Sequence, residues 1–292
     1  MANFGRGQLI LQGRNLVKCA RFVALGSDDD TSIKELAIRD YSNTDVTDDD
    51  LTFFFARAFG LHNWCRQSKD NMYAGVTRQA IVESMLAKLR NLEYLEYHNF
   101  CHISRGEQQA LTAERLRARL TLPLNLKHIL VTCMPDAGQV SFPLTQMLST
   151  SSVSQLTICG ATAVNLPLQQ CSLWHSLKTL DLLDCDIPVL DLRTIIRRSS
   201  ELRTINYIQK ATGIWNHTST MLDALGDAHA TLETLYVRLR CGTAGTGGRS
   251  SGHAVSFPRF KQLKFLRLSQ NDLCFAPTSI PRVDSTRTSN EY

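Results

Sequence analysis

The sequence predicts an α/β fold: an irregular solenoid with a curved parallel sheet on its concave side and helices and loops on its convex side. Three observations carry that expectation. The stretches "LKTLDLLDCDI", Leu177 to Ile187, and "LKFLRLSQNDL", Leu263 to Leu273, share one spacing, L-x-x-L-x-L-x-x-C/N-x-I/L. Weaker copies open at Leu92, Leu126, Val153, Leu202 and Leu232, so the seven openings are separated by steps of 34, 27, 24, 25, 30 and 31 residues. Apolar residues alternate with period two inside each copy, and several intervening segments change to helical spacing. Steps in and just above roughly 20 to 29 residues mark a leucine-rich repeat. A unit of that size cannot bury its own apolar side, so neighbours stack in register and share one core behind a parallel sheet.

Taken in order, residues 1–90 read as degenerate repeats with an acidic linker and helices. A helix is expected around Leu9 to Val17 and a first strand at "CARFVAL", Cys19 to Leu25, with Ala20, Val23 and Leu25 as its core positions. Asp28 to Asp30 fall in the linker. "TDDDLTFFFARAF" reads as a helix start with Thr47 as N-cap and Asp48 to Asp50 in the first turn, where carboxylates complement the helix dipole. The segment "GVTRQAIVESMLAKLRN" carries Ile81, Val82, Met85, Leu86 and Leu89 on one side of a helix that leads into the Leu92 strand.

Residues 91–277 form the repeat array. Leu180 and Leu182, like Leu266 and Leu268, point to one face, the core. Val189, Leu192, Ile195 and Ile196 recur at helical spacing, as do Met221, Leu225 and Ala228, so the unit is strand then helix. Position nine enters the turn, where Cys185 and Asn271 can bond to backbone. The other copies hold Phe100, Met134, Ala161, Lys210 and Arg240 there, so uneven turns are expected. Residues 278–292 are polar with a proline and read as a disordered tail.

The chain has 292 residues, 43% hydrophobic and 20% charged, which is enough to bury a large core. No apolar run approaches the roughly 20 residues of a membrane helix, and the start lacks a secretory signal, so the expectation is a cytoplasmic or nuclear protein without membrane contact. Its nine cysteines are odd in number and scattered without a C-x-x-C pair, the pattern of reduced thiols. The net charge of +5 is uneven, with 14 Lys+Arg against 8 Asp+Glu in residues 191–292. No helix or face concentrates basic residues with aromatics, which argues against a nucleic-acid partner.

Catalytic and ligand chemistry find little support. "CGTAGTGGRSSG", Cys241 to Gly252, follows a strand as a phosphate loop would, yet the P-loop spacing fails and Arg249 stands in the lysine position. A nucleotide binder through residues 242–252 is thus the least favoured reading, and a surface insertion the better one. His98, Cys101 and His102 lie close in sequence but lack the further ligands a zinc site needs. The chain is therefore read as non-enzymatic, with no cofactor, no metal and no small-molecule substrate.

The polar positions of the strands remain. Position five of successive copies gives Glu96, Leu130, Thr157, Asp181, Asn206, Tyr236 and Arg267. Position seven gives His98, Thr132, Cys159, Leu183, Ile208, Arg238 and Ser269. Glu96, His98, Asp181, Leu183, Ile208, Tyr236, Arg238 and Arg267 make a mixed apolar and charged strip on the concave face, a composition suited to binding a protein partner. The competing reading is a degenerate or fragmentary repeat protein without a defined partner.

The order of helix, degenerate strand, acidic linker, apolar helix ending in "LRNLEYLEY", then irregular L-x-x-L-x-L units resembles the repeat region of fungal F-box-like leucine-rich-repeat proteins, over roughly residues 9 to 275. The resemblance implies the substrate-recognition part of an F-box-type ubiquitin-ligase receptor. The residues before Cys19 are too few for an F-box, so the expectation is a receptor region lacking that module.

Overall fold

The computed structural model describes residues 4–5, 7–12, 15–25, 33–39, 49–50, 53, 85–86, 88–99, 125–133, 139–140, 153–161, 163–164, 175–210, 224–225, 230–238 and 260–268. In chain order these include β1 (Phe4–Gly5), β2 (Gln8–Gln12), α1 (Asn15–Leu25), β3 (Glu35–Arg39), β4 (Tyr94–Asn99), β5 (His128–Cys133) and β6 (Gln139–Val140). There follow β7 (Gln155–Cys159), β8 (Ala163–Val164), β9 (Thr179–Cys185), α2 (Val189–Arg198), β10 (Thr204–Gln209), β11 (Thr234–Arg238) and β12 (Phe265–Leu268). The glycine-rich loop 242–252, the tail 278–292, Cys101 and His102 lie outside the described residues, as do the linker Asp28 to Asp30 and Ser269.

Ten strands form one sheet in the order β1-β2-β3-β4-β5-β7-β9-β10-β11-β12, while β6 and β8 pair separately. Only β1 runs antiparallel, joined to β2 through a tight turn at Gly7, whose φ of 81° suits glycine. From β2 onward each strand pairs in parallel with the next, so the chain is a parallel-stranded solenoid with few described helices. Each of these strands begins alike. The backbone N–H groups of positions two and three both donate to the position-two carbonyl of the preceding strand, at 2.7–3.1 Å from Glu93 and Tyr94 on Lys34 through to Lys264 and Phe265 on Glu233.

That register aligns the apolar positions. Position one places Leu92, Leu126, Val153, Leu177, Leu202 and Leu232 in the core, and positions four and six place Leu95 with Tyr97, Ile129 with Val131, Leu156 with Ile158, Leu180 with Leu182, Ile205 with Tyr207 and Leu235 with Val237 beside them. The apolar alternation thus becomes one continuous core because each of these six copies contributes the same three rungs. Met85, Leu86 and Leu89 from the segment before β4 and Leu192, Ile195 and Ile196 from α2 are buried as their helical spacing requires, and Leu225 is buried too, while Ile81, Val82, Met221 and Ala228 lie outside the described residues.

Turns differ from copy to copy. Cys185 at position nine is fully buried and its thiol donates to the Ile158 carbonyl at 3.4 Å, while Ala161 fills the equivalent place in the preceding unit. Gly160, at φ +77°, could not carry a side chain, since a Cβ would stand 2.8 Å from the Cys133 carbonyl oxygen. Near its end β9 holds one residue more than β10: Leu182 faces Tyr207, but Cys185 faces Gln209. Asp184 takes up the excess at φ 54°, so β9 bulges there.

The N-terminal expectation is corrected. Residues Gln8–Gln12 are a strand and Asn15–Leu25 a helix, the reverse of the order read from the sequence. Leu9 and Leu11 alternate with polar or half-buried neighbours and dock beside Leu36 and Ile38, whereas Val17 and Ala20, three apart, are the buried side of α1. Val23 packs partly against the core, and Leu25, expected inside, is 61% exposed. The strand β3 was not anticipated, although Ile33, Leu36 and Ile38 occupy positions one, four and six of a further copy. Because β3 pairs directly with β4, the sheet crosses residue 90 without a break.

Candidate functional site

The face of the sheet opposite the leucines is built from positions three, five and seven. Position five runs in register from Ala37 through Glu96, Leu130, Thr157, Asp181, Asn206 and Tyr236 to Arg267. Position seven aligns His98, Thr132, Cys159 and Leu183, and separately Ile208 with Arg238. The bulge in β9 divides that second row, so Leu183 and Ile208 are not direct partners.

Parallel strands about 5 Å apart bring each row's side chains into contact, and the outcome depends on what stands next to what. Arg39 on β3 reaches across to Glu96 with a two-pronged ion pair, Nε to Oε1 at 2.7 Å and Nη2 to Oε2 at 2.8 Å. His98 Nε2 lies 2.9 Å from the same Oε1. Arg39, then burial working in the opposite direction, then His98, set the net result: the Glu96 carboxyl is held below its ordinary value, and the Arg39 guanidinium is raised by the same contact.

Asp181 has a different shell. It accepts hydrogen bonds from Gln155 Nε2 and Thr157 Oγ1, each at 3.2 Å, and from Asn206 Nδ2. Thr157 has one hydroxyl proton, and giving it to the carboxylate leaves the oxygen to accept from His128 Nε2, 3.2 Å away. The geometry therefore selects a His128 that carries its proton on Nε2 and a chain His128 to Thr157 to Asp181. Burial pulls the His128 pKa down, with the Asp181 charge opposing it. Tyr94 packs edge-on against the His128 ring at 4.9 Å, and burial, aided by Glu96, raises its phenol.

Towards the end of the sheet the face is less covered. Tyr236 and Ile208 are half-buried, and Arg238 and Arg267 are exposed. The Arg267 guanidinium lies over the Tyr236 ring, 5.3 Å from its centre.

The predicted strip is thus split. Glu96 and Asp181, expected as accessible surface, are 8% and 9% exposed and engaged with neighbours in the chain, while Tyr236, Arg238 and Arg267 stay accessible. Arg39, His128, Gln155, Thr157 and Asn206 complete the two carboxylate clusters but were left out of the predicted site. Arg39 belongs to β3, and the I-x-x-L-x-I phrase opening at Ile33 is the signal that reveals it.

Among the described residues no group of three or more His, Cys, Asp or Glu is placed to hold a metal ion, and no helix is long and apolar enough to cross a membrane. Burial pushes the thiols of Cys133 and Cys185 up to about 12, which leaves them poor nucleophiles. The class defined by fold and face is a parallel-stranded solenoid with a polar, partly open sheet surface. No protein-family model, no curated protein and no solved structure matches the chain.

Proposed function

We propose that this chain is a non-catalytic interaction scaffold of the leucine-rich-repeat kind, and that it binds a protein partner on the later part of its polar sheet face. The observation that carries the reading is the position-five row. It runs unbroken across the sheet, engages its carboxylates internally at Glu96 and Asp181, and ends in the open pair Tyr236 and Arg267, with Arg238 of the position-seven row on the same face. An aromatic ring under the Arg267 guanidinium, with Arg238 two residues along the same strand, is the composition of an interface hot spot and favours a partner surface that is acidic and partly apolar. In its narrower form, following the family resemblance, the scaffold is the substrate-recognition part of an F-box-type ubiquitin-ligase receptor, for which co-purification of the ligase adaptor is the test.

The general reading is tested by affinity capture with the unmodified chain, Tyr236→Ala, Arg238→Glu and, as a control on α1, Lys18→Glu. The expected result is a protein retained by the unmodified chain and the control and lost from both face variants. Retention by both face variants, with loss from the α1 control, would move the site away from this face.

A further inference from the structure

The sheet does not end as it proceeds. At position four Leu9, Leu36, Leu95, Ile129, Leu156, Leu180, Ile205 and Leu235 are at most 1% exposed, but Leu266 on β12 is 41% exposed and its neighbour Phe265 52%. Among the described residues β12 pairs with β11 and with no strand on its other side. Such an edge offers unpaired backbone donors and acceptors together with one uncovered rung of core.

Charge indicates what would fit there. At position two Glu93 stands between Lys34 and Lys127, at 3.3 and 3.1 Å, and Glu233 stands between Arg203 and Lys264, at 3.5 and 2.7 Å. The edge strand closes that row on a cation, Lys264, and closes the position-five row on another, Arg267. The sheet already contains a related pairing. The strand β3, with Lys34 at position two and Arg39 at position seven, is followed by "LEYLEY", residues 92–97, in which Glu93 meets Lys34 within the position-two row and Glu96 meets Arg39 diagonally from position five, while Leu95 and Tyr97 enter the core.

We propose that the open side of β12 is a docking edge for a parallel strand of a partner protein, with carboxylates at its second and fifth positions and apolar residues at its fourth and sixth. Backbone bonds supply attachment, and the carboxylates select the segment. A second copy of β12 laid parallel and in register is disfavoured, because its own lysine and arginine would face these. No stretch of residues 269–292 has the required pattern.

The test uses a fluorescent synthetic peptide with the sequence of residues 91–99, "NLEYLEYHN", titrated into the full chain by anisotropy. Saturable binding is expected, weakened roughly tenfold or more by Lys264→Glu and restored when the peptide's third residue, the glutamate that corresponds to Glu93 at repeat position two, is replaced by lysine. Lys264 is no part of the polar-face strip, so this result and the capture experiment can fail independently. Its side chain is 74% exposed, and circular dichroism would verify that the variant remains folded. Three outcomes would overturn the proposal: equal affinity for the charge-reversed peptide, binding that appears only after residues 271–292 are removed, or a dimer by light scattering that Leu266→Lys dissolves, which would give the edge to a second copy.

Discussion

Two carboxylates on one row of the sheet, Glu96 on β4 and Asp181 on β9, are covered to nearly the same degree and stabilised by opposite means. Glu96 is neutralised by a guanidinium in fork geometry with an imidazole beside it. Asp181 is held by the amide and hydroxyl dipoles of Gln155, Thr157 and Asn206. The difference follows from the neighbouring strands: β3 brings Arg39 within reach of Glu96, while β7 and β10 bring threonine, glutamine and asparagine to Asp181. In a parallel solenoid a side chain's environment is therefore set by the strands one repeat away, at the same or a diagonal position, more than by its own sequence neighbours.

The largest expected effect comes from placing a third carboxylate where neither means exists. Leu182 is one residue from Asp181, fully buried, and in line with Ile158 and Tyr207 on the core face. Leu182→Asp should lower stability by more than about 4 kcal/mol, since an unpaired charge would lie among leucines, and the adjoining repeats should melt with it. Urea unfolding followed by circular dichroism measures this. A loss below about 1 kcal/mol would mean that the two faces of β9 are wrongly assigned.

A smaller effect separates the two carboxylates themselves. Arg39→Met should cost about 1–2 kcal/mol, moderated because the arginine side chain is 43% exposed, and should also diminish the salt dependence of unfolding. Asp181→Ala should cost about 1 kcal/mol and leave the salt dependence as it was, because its half-buried donors Gln155 and Asn206 can turn to water. Melts of both variants in low and high salt provide the comparison. The same salt response in both would dissolve the distinction drawn here.

How much of this was legible beforehand depended on whether the signal was local. The seven phrases from Leu92 to Leu263 sufficed for strand order and, up to the bulge in β9, for register, because an L-x-x-L-x-L rung is nearly the same in each copy and its period-two pattern allows one register only. The position-five row could be written down for the same reason. At the N-terminus the signal failed, since Leu9 and Leu11 on a short strand and Val17 with Ala20 on α1 offer few apolar residues to distinguish period two from period 3.6. Losing β3 there meant losing Arg39, and with it the fact that Glu96 is already occupied. The coverage of Asp181 was hidden differently: its donors were on the written row or beside it, but hydrogen bonds between strands depend on side-chain reach, which spacing does not encode.

The smallest effect lies in the acid limb of stability, where the two clusters should act at different pH. Burial depresses the His128 pKa from an ordinary 6.5, so the unfolded chain binds the proton more tightly than the folded one. Stability should then fall as pH drops below about 6.5 and level off once the folded imidazole is also protonated. Glu96 is depressed from 4.5, so its contribution is present above that value and is lost only at lower pH. The His128 step should amount to less than about 1 kcal/mol, because the ring is only partly buried and the Asp181 charge favours its protonation. His128→Gln keeps a side-chain donor near Thr157 and removes the titration, so unfolding at pH 7 and pH 5.5 should differ less in the variant than in the unmodified chain. If the difference persists unchanged, the proton is taken up by another histidine, and the chain from His128 through Thr157 to Asp181 is not what couples this face to pH.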